Sequence, residues 1–236
     1  MTFLVEGFEP DQIALAAHLA AAVPRGSVRL AAAGPATREA LALAAHGVSV
    51  EPHADLDADP GPAEVAYLDV WTPAVAPRVE KLRARGTRVT SLGDLLLERA
   101  TGLTVGVTGT AGKTTTTSIA VQLLEAAGVQ VDASTTGRLG NVWPTAELLD
   151  REDTARPLVL ELTSSHLGFM RESPGVAAIT CFWPDHLELH GSVEAYRAAK
   201  EVIVRGQAPG HTVVVNADDP ATRAFAEITP ADLVEV

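Results

Sequence analysis

Residues 105–117 read VGVTGTAGKTTTT, and the fold follows from how this stretch is read. The run 103–107 leading into it, LTVGV, is short and apolar, which suits a buried strand. The glycines turn the chain, and a helix is expected from Thr114 to about Ala127. That helix should bury Ile119, Leu123, Leu124 and Ala127 and stop at Gly128. Strand, glycine turn, Lys-Thr and helix together describe a phosphate cradle. The main-chain N–H groups of Gly109, Thr110, Ala111 and Gly112, and of the helix start at Lys113, Thr114 and Thr115, can face an anion. Lys113 would neutralise it, and the Thr114 hydroxyl could hold Mg²⁺. The strict G-x-x-x-x-G-K-[ST] pattern is missed by one position, since Val107 stands where its first glycine belongs. The competing reading is an ordinary strand–turn–helix corner.

Composition narrows the partners. At 236 residues the chain allows one large or two small domains with ample core. It has 18 Lys+Arg against 30 Asp+Glu, a net charge of −12, which argues against duplex nucleic acid or an anionic membrane as partner. Against that background a local cationic phosphate site stands out. A single cysteine, Cys181, excludes an internal disulfide and a cysteine-based zinc cage. The first ten residues carry no basic, apolar leader, and no apolar run approaches membrane-spanning length, so the cytoplasm is the default compartment.

Residues 1–100 alternate between strand and helix patterns. Strands are expected at 2–5, 28–32, 48–50, 65–70 and 88–90, and helices at 10–22, 36–45, 74–84 and 92–100. Such alternation predicts a parallel sheet with right-handed crossovers, a Rossmann-like domain ending near residue 100. Its first strand–helix turn, where a dinucleotide fold carries G-x-G-x-x-G, reads Glu6-Gly7-Phe8-Glu9-Pro10. Two carboxylates repel a phosphate and Pro10 has no N–H to donate, so the frame lacks its phosphate fingerprint. Residues 54–62, rich in Asp, Pro and Gly, read as an exposed loop.

Residues 101–236 read as a second α/β domain with a mainly parallel sheet. Strands are expected at 129–133, 157–162 and 176–182. Ligands of open α/β sheets sit at the carboxyl ends of strands, and Glu161, His186 and the cradle all fall at such ends. A lone strand-end carboxylate is usually a cap and a lone histidine usually structural, but the shared edge makes both candidate metal ligands. The helix 193–205 has Ser192 as N-cap and an apolar stripe of Tyr196, Ala199 and Ile203. Lys200 lies on or beside that stripe. It either snorkels toward Glu201 and solvent, or is a buried amine of lowered pKa that can react with CO₂ to give a carbamate, an oxygen ligand for Mg²⁺.

TGTAGKTTT, Glu161-Leu162-Thr163-Ser164, Asp185-His186-Leu187 with His190-Gly191-Ser192, Tyr196-Arg197-Ala198-Ala199-Lys200 and Asn216-Ala217-Asp218-Asp219 occur in this order. Their spacing resembles the Mur ligase family, the ATP-dependent amide ligases of peptidoglycan assembly. The strand end and the Tyr-x-Ala-Ala-Lys helix look most like members that add D-glutamate to UDP-N-acetylmuramoyl-L-alanine. The resemblance is good over about residues 100–220 and loose before them. It implies a P-loop central domain, ATP, two Mg²⁺ sites and small-molecule partners: a nucleotide, a UDP-muramoyl precursor and an amino acid. By it, Lys113 and Thr114 would hold the ATP phosphates and the first Mg²⁺, and Glu161 would bridge metals. His186 and carbamylated Lys200 would hold the second, with Lys113, His186 and Lys200 catalytic. Asn141, Thr163 and Ser164 would lie beside the substrate.

Several positions depart from the family pattern. Ala111 stands for a usual Asn, Ser165-His166 for Phe-Gln, Cys181 for Asn, Trp183 for a small polar residue and Glu188-Leu189 for Asp-Arg. The sequence also stops at Val236, before the family's closing part of the central domain and its amino-acid-bearing third domain. The expectation is that this chain alone binds nucleotide weakly and ligates nothing. A Mur-type ligase for a different acceptor, and a non-catalytic nucleotide-binding relative, are the alternatives.

Overall fold

The computed structural model describes residues 1–57, 59–136 and 142–236, with residues 135, 136, 142 and 143 described by backbone alone. The chain forms two compact units, Met1–Leu92 and Gly93–Val236. In the first, β1 (Phe3–Glu6), α1 (Pro10–Ala22), β2 (Val28–Ala33), α2 (Arg38–Ala42), β3 (Val48–His53), β4 (Val65–Tyr67), α3 (Pro77–Ala84) and β5 (Arg88–Thr90) follow in order. A short 3₁₀ turn, Leu43–His46, extends α2. All the strands pair in parallel in the order β3-β2-β1-β4-β5. Val5, Leu30, Ala66, Leu15 and Leu82 fill the core.

Among its described residues the link from β3 to β4 carries no helix; it is the loop expected, exposed at Ala54, Asp55, Asp59 and Pro62, and it is also pinned. Arg29 donates to the carbonyls of Pro60 (3.1 Å) and Pro62 (3.0 Å), and Arg78 Nη1 binds Asp57 at 2.8 Å. Leu56 is buried beneath it. At the β1 end, Glu6 is buried rather than facing solvent. It accepts from Thr72 Oγ1 at 2.7 Å and from Arg78 Nη2 at 2.8 Å. Burial alone would lower the Arg78 pKa, but its bonds to Glu6 and Asp57 raise it instead. Burial also pushes the nearby Asp69 carboxyl up, with Glu6 and Glu9 adding to the effect.

The second unit begins earlier than the sequence break near residue 100. The helix α4 (Leu92–Arg99) explains why: fully buried Asp94 accepts the N–H groups of Arg171 (2.9 Å) and Glu172 (2.8 Å). After it come β6 (Thr104–Thr108), α5 (Lys113–Ala126), β7 (Asp132–Ala133), β8 (Thr135–Thr136), β9 (Val142–Trp143) and β10 (Leu158–Glu161). Then follow α6 (Ser164–Leu167), β11 (Val176–Ile179), α7 (Leu187–His190), α8 (Val193–Arg205), β12 (Thr212–Val215), α9 (Pro220–Ala226) and β13 (Asp232–Glu235). Six strands pair in parallel in the order β13-β12-β11-β6-β10-β7, and β8 with β9 forms a small antiparallel ribbon. Thus β6, which delivers the cradle, lies between β10 and β11. The fold class expected from the sequence, α/β with mainly parallel sheets, is the one observed.

Within α5 the expected buried stripe holds only at Leu124, which is half-buried. Ile119 is 51% and Leu123 66% exposed, Ala127 is exposed, and the buried position is Thr117. Lys113 reaches back to the Gly109 carbonyl while Thr114 turns to Glu161, and with both placed the rotation of the helix is fixed. The sheet side then falls to Thr117, Ala120, Val121 and Leu124. Among the described residues no helix is long and apolar enough to cross a membrane.

Candidate active site

The cradle starts where β6 ends. Gly109 (φ 149°) and Gly112 (φ 83°) hold backbone conformations that L side chains rarely adopt, so the turn needs glycine at both. The loop closes onto the end of β11. Thr110 N–H donates to the Cys181 carbonyl (3.0 Å), and Ala111 N–H to Cys181 Sγ (3.2 Å). Those two amides are therefore committed, and a phosphate would reach them only if the bonds to residue 181 opened. The first N–H groups of α5 have no acceptor within the helix and are free to face an anion. Lys113 Nζ folds back over the loop to the carbonyls of Gly109 (3.2 Å) and Thr110 (3.4 Å). Thr115, in the first turn, is exposed.

Two oxygen donors meet beside it. Thr114 Oγ1 donates to Glu161 Oε2 at 2.8 Å, and the Glu161 N–H is fixed by Ser134 Oγ at 3.0 Å. Burial raises the Glu161 pKa, while the Thr114 bond and the Lys113 charge pull it back. A hydroxyl and a carboxylate set next to a phosphate site are the hard oxygen ligands Mg²⁺ takes, so these residues fit that ion.

Lys200 comes in from α8. Its side chain is 1% exposed, and Nζ donates to Gly109 O (3.0 Å) and Thr108 Oγ1 (3.4 Å). Lys113 and Lys200 thus share one carbonyl. Burial, with a smaller push from Lys113, lowers the Lys200 pKa to about 7. The snorkelling alternative fails, because Glu201 pairs with Arg197 (2.9 Å) and Arg205 (2.6 Å). Tyr196 lies below Lys200, its ring centre 4.8 Å from Nζ, and its hydroxyl meets Thr110 Oγ1 at 3.1 Å. In the sequence Tyr196 stands out only as part of the apolar stripe of its helix. The pattern gives no sign that its ring and hydroxyl reach both Lys200 and the loop.

The remaining candidates lie differently. Ser164 is buried, its hydroxyl 3.0 Å from His190 Nε2, and burial lowers the His190 pKa. Thr163 caps α6 in a reciprocal pair with His166, which full burial holds neutral at a pKa of about 4. His186 adopts a left-handed backbone (φ 49°), and both ring nitrogens face carboxylates: Nδ1 to Glu188 (3.3 Å) and Nε2 to Asp185 (3.6 Å). It could ligate a metal only after releasing one of them. Among the described residues no group of three His, Cys, Asp or Glu could hold a metal ion. Asn141, with the loop 137–141, lies outside the described residues.

A parallel sheet with a glycine loop running into a helix, Lys113 across the loop and a strand-end carboxylate on the next strand is the architecture of a P-loop domain. The Mur ligase middle domain matches residues 107–236, and the chain belongs to the Mur ligase family, whose members are ATP-dependent ligases. It is 37% identical over 177 residues to a UDP-N-acetylmuramoylalanine–D-glutamate ligase from Symbiobacterium thermophilum, covering 75% of this chain and 36% of that protein. With the protein of the same name from Roseiflexus it shares 41% over 178 residues, 72% of this chain and 37% of the relative. A UDP-N-acetylmuramate–L-alanine ligase from Mycolicibacterium smegmatis is 34% identical over 200 residues, 83% of this chain and 41% of that protein. The matched part therefore spans well under half of these relatives.

Among solved structures, a UDP-N-acetylmuramate:L-alanyl-gamma-D-glutamyl-meso-diaminopimelate ligase from Neisseria is similar with a TM-score of 0.56 at 20% identity. That match covers 99% of this chain and 77% of the other. The MurF ligase of Thermotoga maritima in complex with ADP gives 0.52 at 20% identity, over 92% and 48%. Both likenesses concern the fold.

Proposed function

We propose that the protein carrying this chain is an ATP-dependent carboxylate–amine ligase of peptidoglycan precursor synthesis, joining D-glutamate to UDP-N-acetylmuramoyl-L-alanine. The observation that carries this reading is the convergence of Lys113, Thr114 with Glu161, and Lys200 on one loop. Lys113 and the α5 N-terminus hold the phosphates of ATP. Thr114 and Glu161 would hold Mg²⁺, which supplies charge neutralisation when two anions are brought together. A carboxylate oxygen attacks the γ-phosphorus and ADP leaves. The amine then attacks the acyl carbon, inorganic phosphate leaves, and the amine gives up a proton.

Lys200, with a pKa near 7, is neutral often enough at that pH to react with CO₂. Its nitrogen bonds to carbon, one proton goes to solvent, and an anionic carbamate replaces a cation beside Lys113. That change would make it an oxygen donor for a second metal, which His186 joins once a ring nitrogen is freed. A ligase for a different acceptor is the second reading. The acidic turn at Glu6, Glu9 and Asp69 in the first unit favours it, since a diphosphate is poorly placed there.

Calorimetric titration with Mg·ADP tests the nucleotide site. Lys113→Ala should weaken binding roughly tenfold to a hundredfold, as expected for one lost charge-assisted hydrogen bond. Unchanged affinity would remove the cradle from the account.

A further inference from the structure

We infer that the end of β11 sets how tightly the cradle binds phosphate, through two adjacent residues of opposite effect. Thr180 positions the Gly112 amide for an anion, and Cys181 is an autoinhibitory contact that withholds the Ala111 amide from it. The inference rests on the nucleotide-binding reading above and concerns the phosphates alone.

Among the described residues every peptide bond is trans, so each carbonyl points opposite to the N–H of the next residue. Three consecutive loop peptides are thereby divided. Gly109 and Thr110 turn their carbonyls to Lys113 Nζ (3.2 and 3.4 Å), while the N–H groups of Thr110 and Ala111 face residue 181. The third peptide is reversed. Its carbonyl, that of Ala111, accepts from Thr180 Oγ1 at 2.5 Å, so the Gly112 N–H points away from the end of β11. The Thr108 carbonyl is farther from the same hydroxyl, at 3.2 Å, and the single proton goes to Ala111.

Cys181 works the other way. Its Sγ lies 3.2 Å from the Ala111 nitrogen and 3.3 Å from the Ala111 oxygen, and the N–H donates to the sulfur. Sulfur is a weak acceptor and a phosphate oxygen a charge-assisted one, so an anion can displace the thiol. The displacement still subtracts from the affinity of every phosphate the loop takes. Removing the sulfur frees the Ala111 amide, while the carbonyl of residue 181 goes on holding the Thr110 N–H at 3.0 Å.

The test is calorimetry with Mg·pyrophosphate and Mg·ADP on the protein that carries this chain and on its variants Cys181→Ala, Thr180→Val and Thr180→Ser. Cys181→Ala should bind both ligands roughly threefold to tenfold more tightly, a gain that general damage to the loop cannot produce. Thr180→Val should bind both about tenfold more weakly, and Thr180→Ser, which keeps the hydroxyl, should recover most of that loss. Unchanged or weaker binding by Cys181→Ala overturns the autoinhibitory contact. Equal losses in the two Thr180 variants, or no loss in either, overturn the positioning role. A wild type that binds neither ligand removes the nucleotide-binding reading, and this inference with it.

Discussion

Lys200→Met is expected to stabilise the chain at pH 7 by roughly 3 kcal/mol in CO₂-free buffer. The folded-state pKa of Lys200 falls from 10.5 to about 7. Each unit is worth about 1.4 kcal/mol, so the gross penalty at pH 7 is about 4 kcal/mol. Losing the hydrogen bonds to Gly109 and Thr108 gives back about 1 kcal/mol. The sign follows from proton counting. Between pH 7 and 10.5 the unfolded chain holds a proton on this lysine that the folded chain has released, so wild-type stability rises with pH across that window. Below pH 7 both states are protonated and the penalty is full. Urea denaturation from pH 6 to 10 should show this rise in the wild type and its absence in the variant. A destabilised Lys200→Met, or parallel profiles, would mean that Lys200 is not held as a buried amine.

Gly109→Ala should be the most damaging single change at the cradle. A Cβ there would lie 1.9 Å from Thr180 Oγ1 and 3.1 Å from its Cβ, on a backbone at φ 149°. Steric overlap and strain together should cost on the order of 3–4 kcal/mol and abolish measurable Mg·ADP binding. Gly112→Ala is the control. Its Cβ would meet Thr180 at an ordinary 3.6 Å, leaving only the strain of φ 83°, about 1–2 kcal/mol. Urea denaturation of the two variants separates them. Equal losses would show that backbone strain and not the approach of β11 governs the loop.

How much could be read from the sequence depended on how local its cause was. The helix Val193–Arg205 matches its expected bounds, because Ser192 caps it through the Ala195 N–H and its apolar stripe is strong. Strand Arg88–Thr90 and helix Pro10–Ala22 also fall where expected, the latter opened by its proline. The buried face of α5 was misread, since its rotation is set by what Lys113 and Thr114 must face and not by its own apolar residues. The early break before Gly93 was invisible for a similar reason: Asp94 owes its burial to amides 77 and 78 positions away. At the site, Lys200 was singled out by the family resemblance, whereas Lys113 and Thr114 could be named from the loop motif and Glu161 from its strand end. The meeting of two lysines on the Gly109 carbonyl could not. Nor could the pairing of His186 with Asp185 and Glu188, which depends on a left-handed turn at a non-glycine residue.

The central claim is that this site activates a carboxylate by phosphoryl transfer. The direct measurement uses the protein that carries this chain, with ATP, D-glutamate and UDP-N-acetylmuramoyl-L-alanine labelled with ¹⁸O in its carboxylate. The account predicts one ¹⁸O atom in the inorganic phosphate released per amide formed, seen by ³¹P NMR or mass spectrometry. Amide formation with unlabelled phosphate, or with the label in AMP, would contradict it.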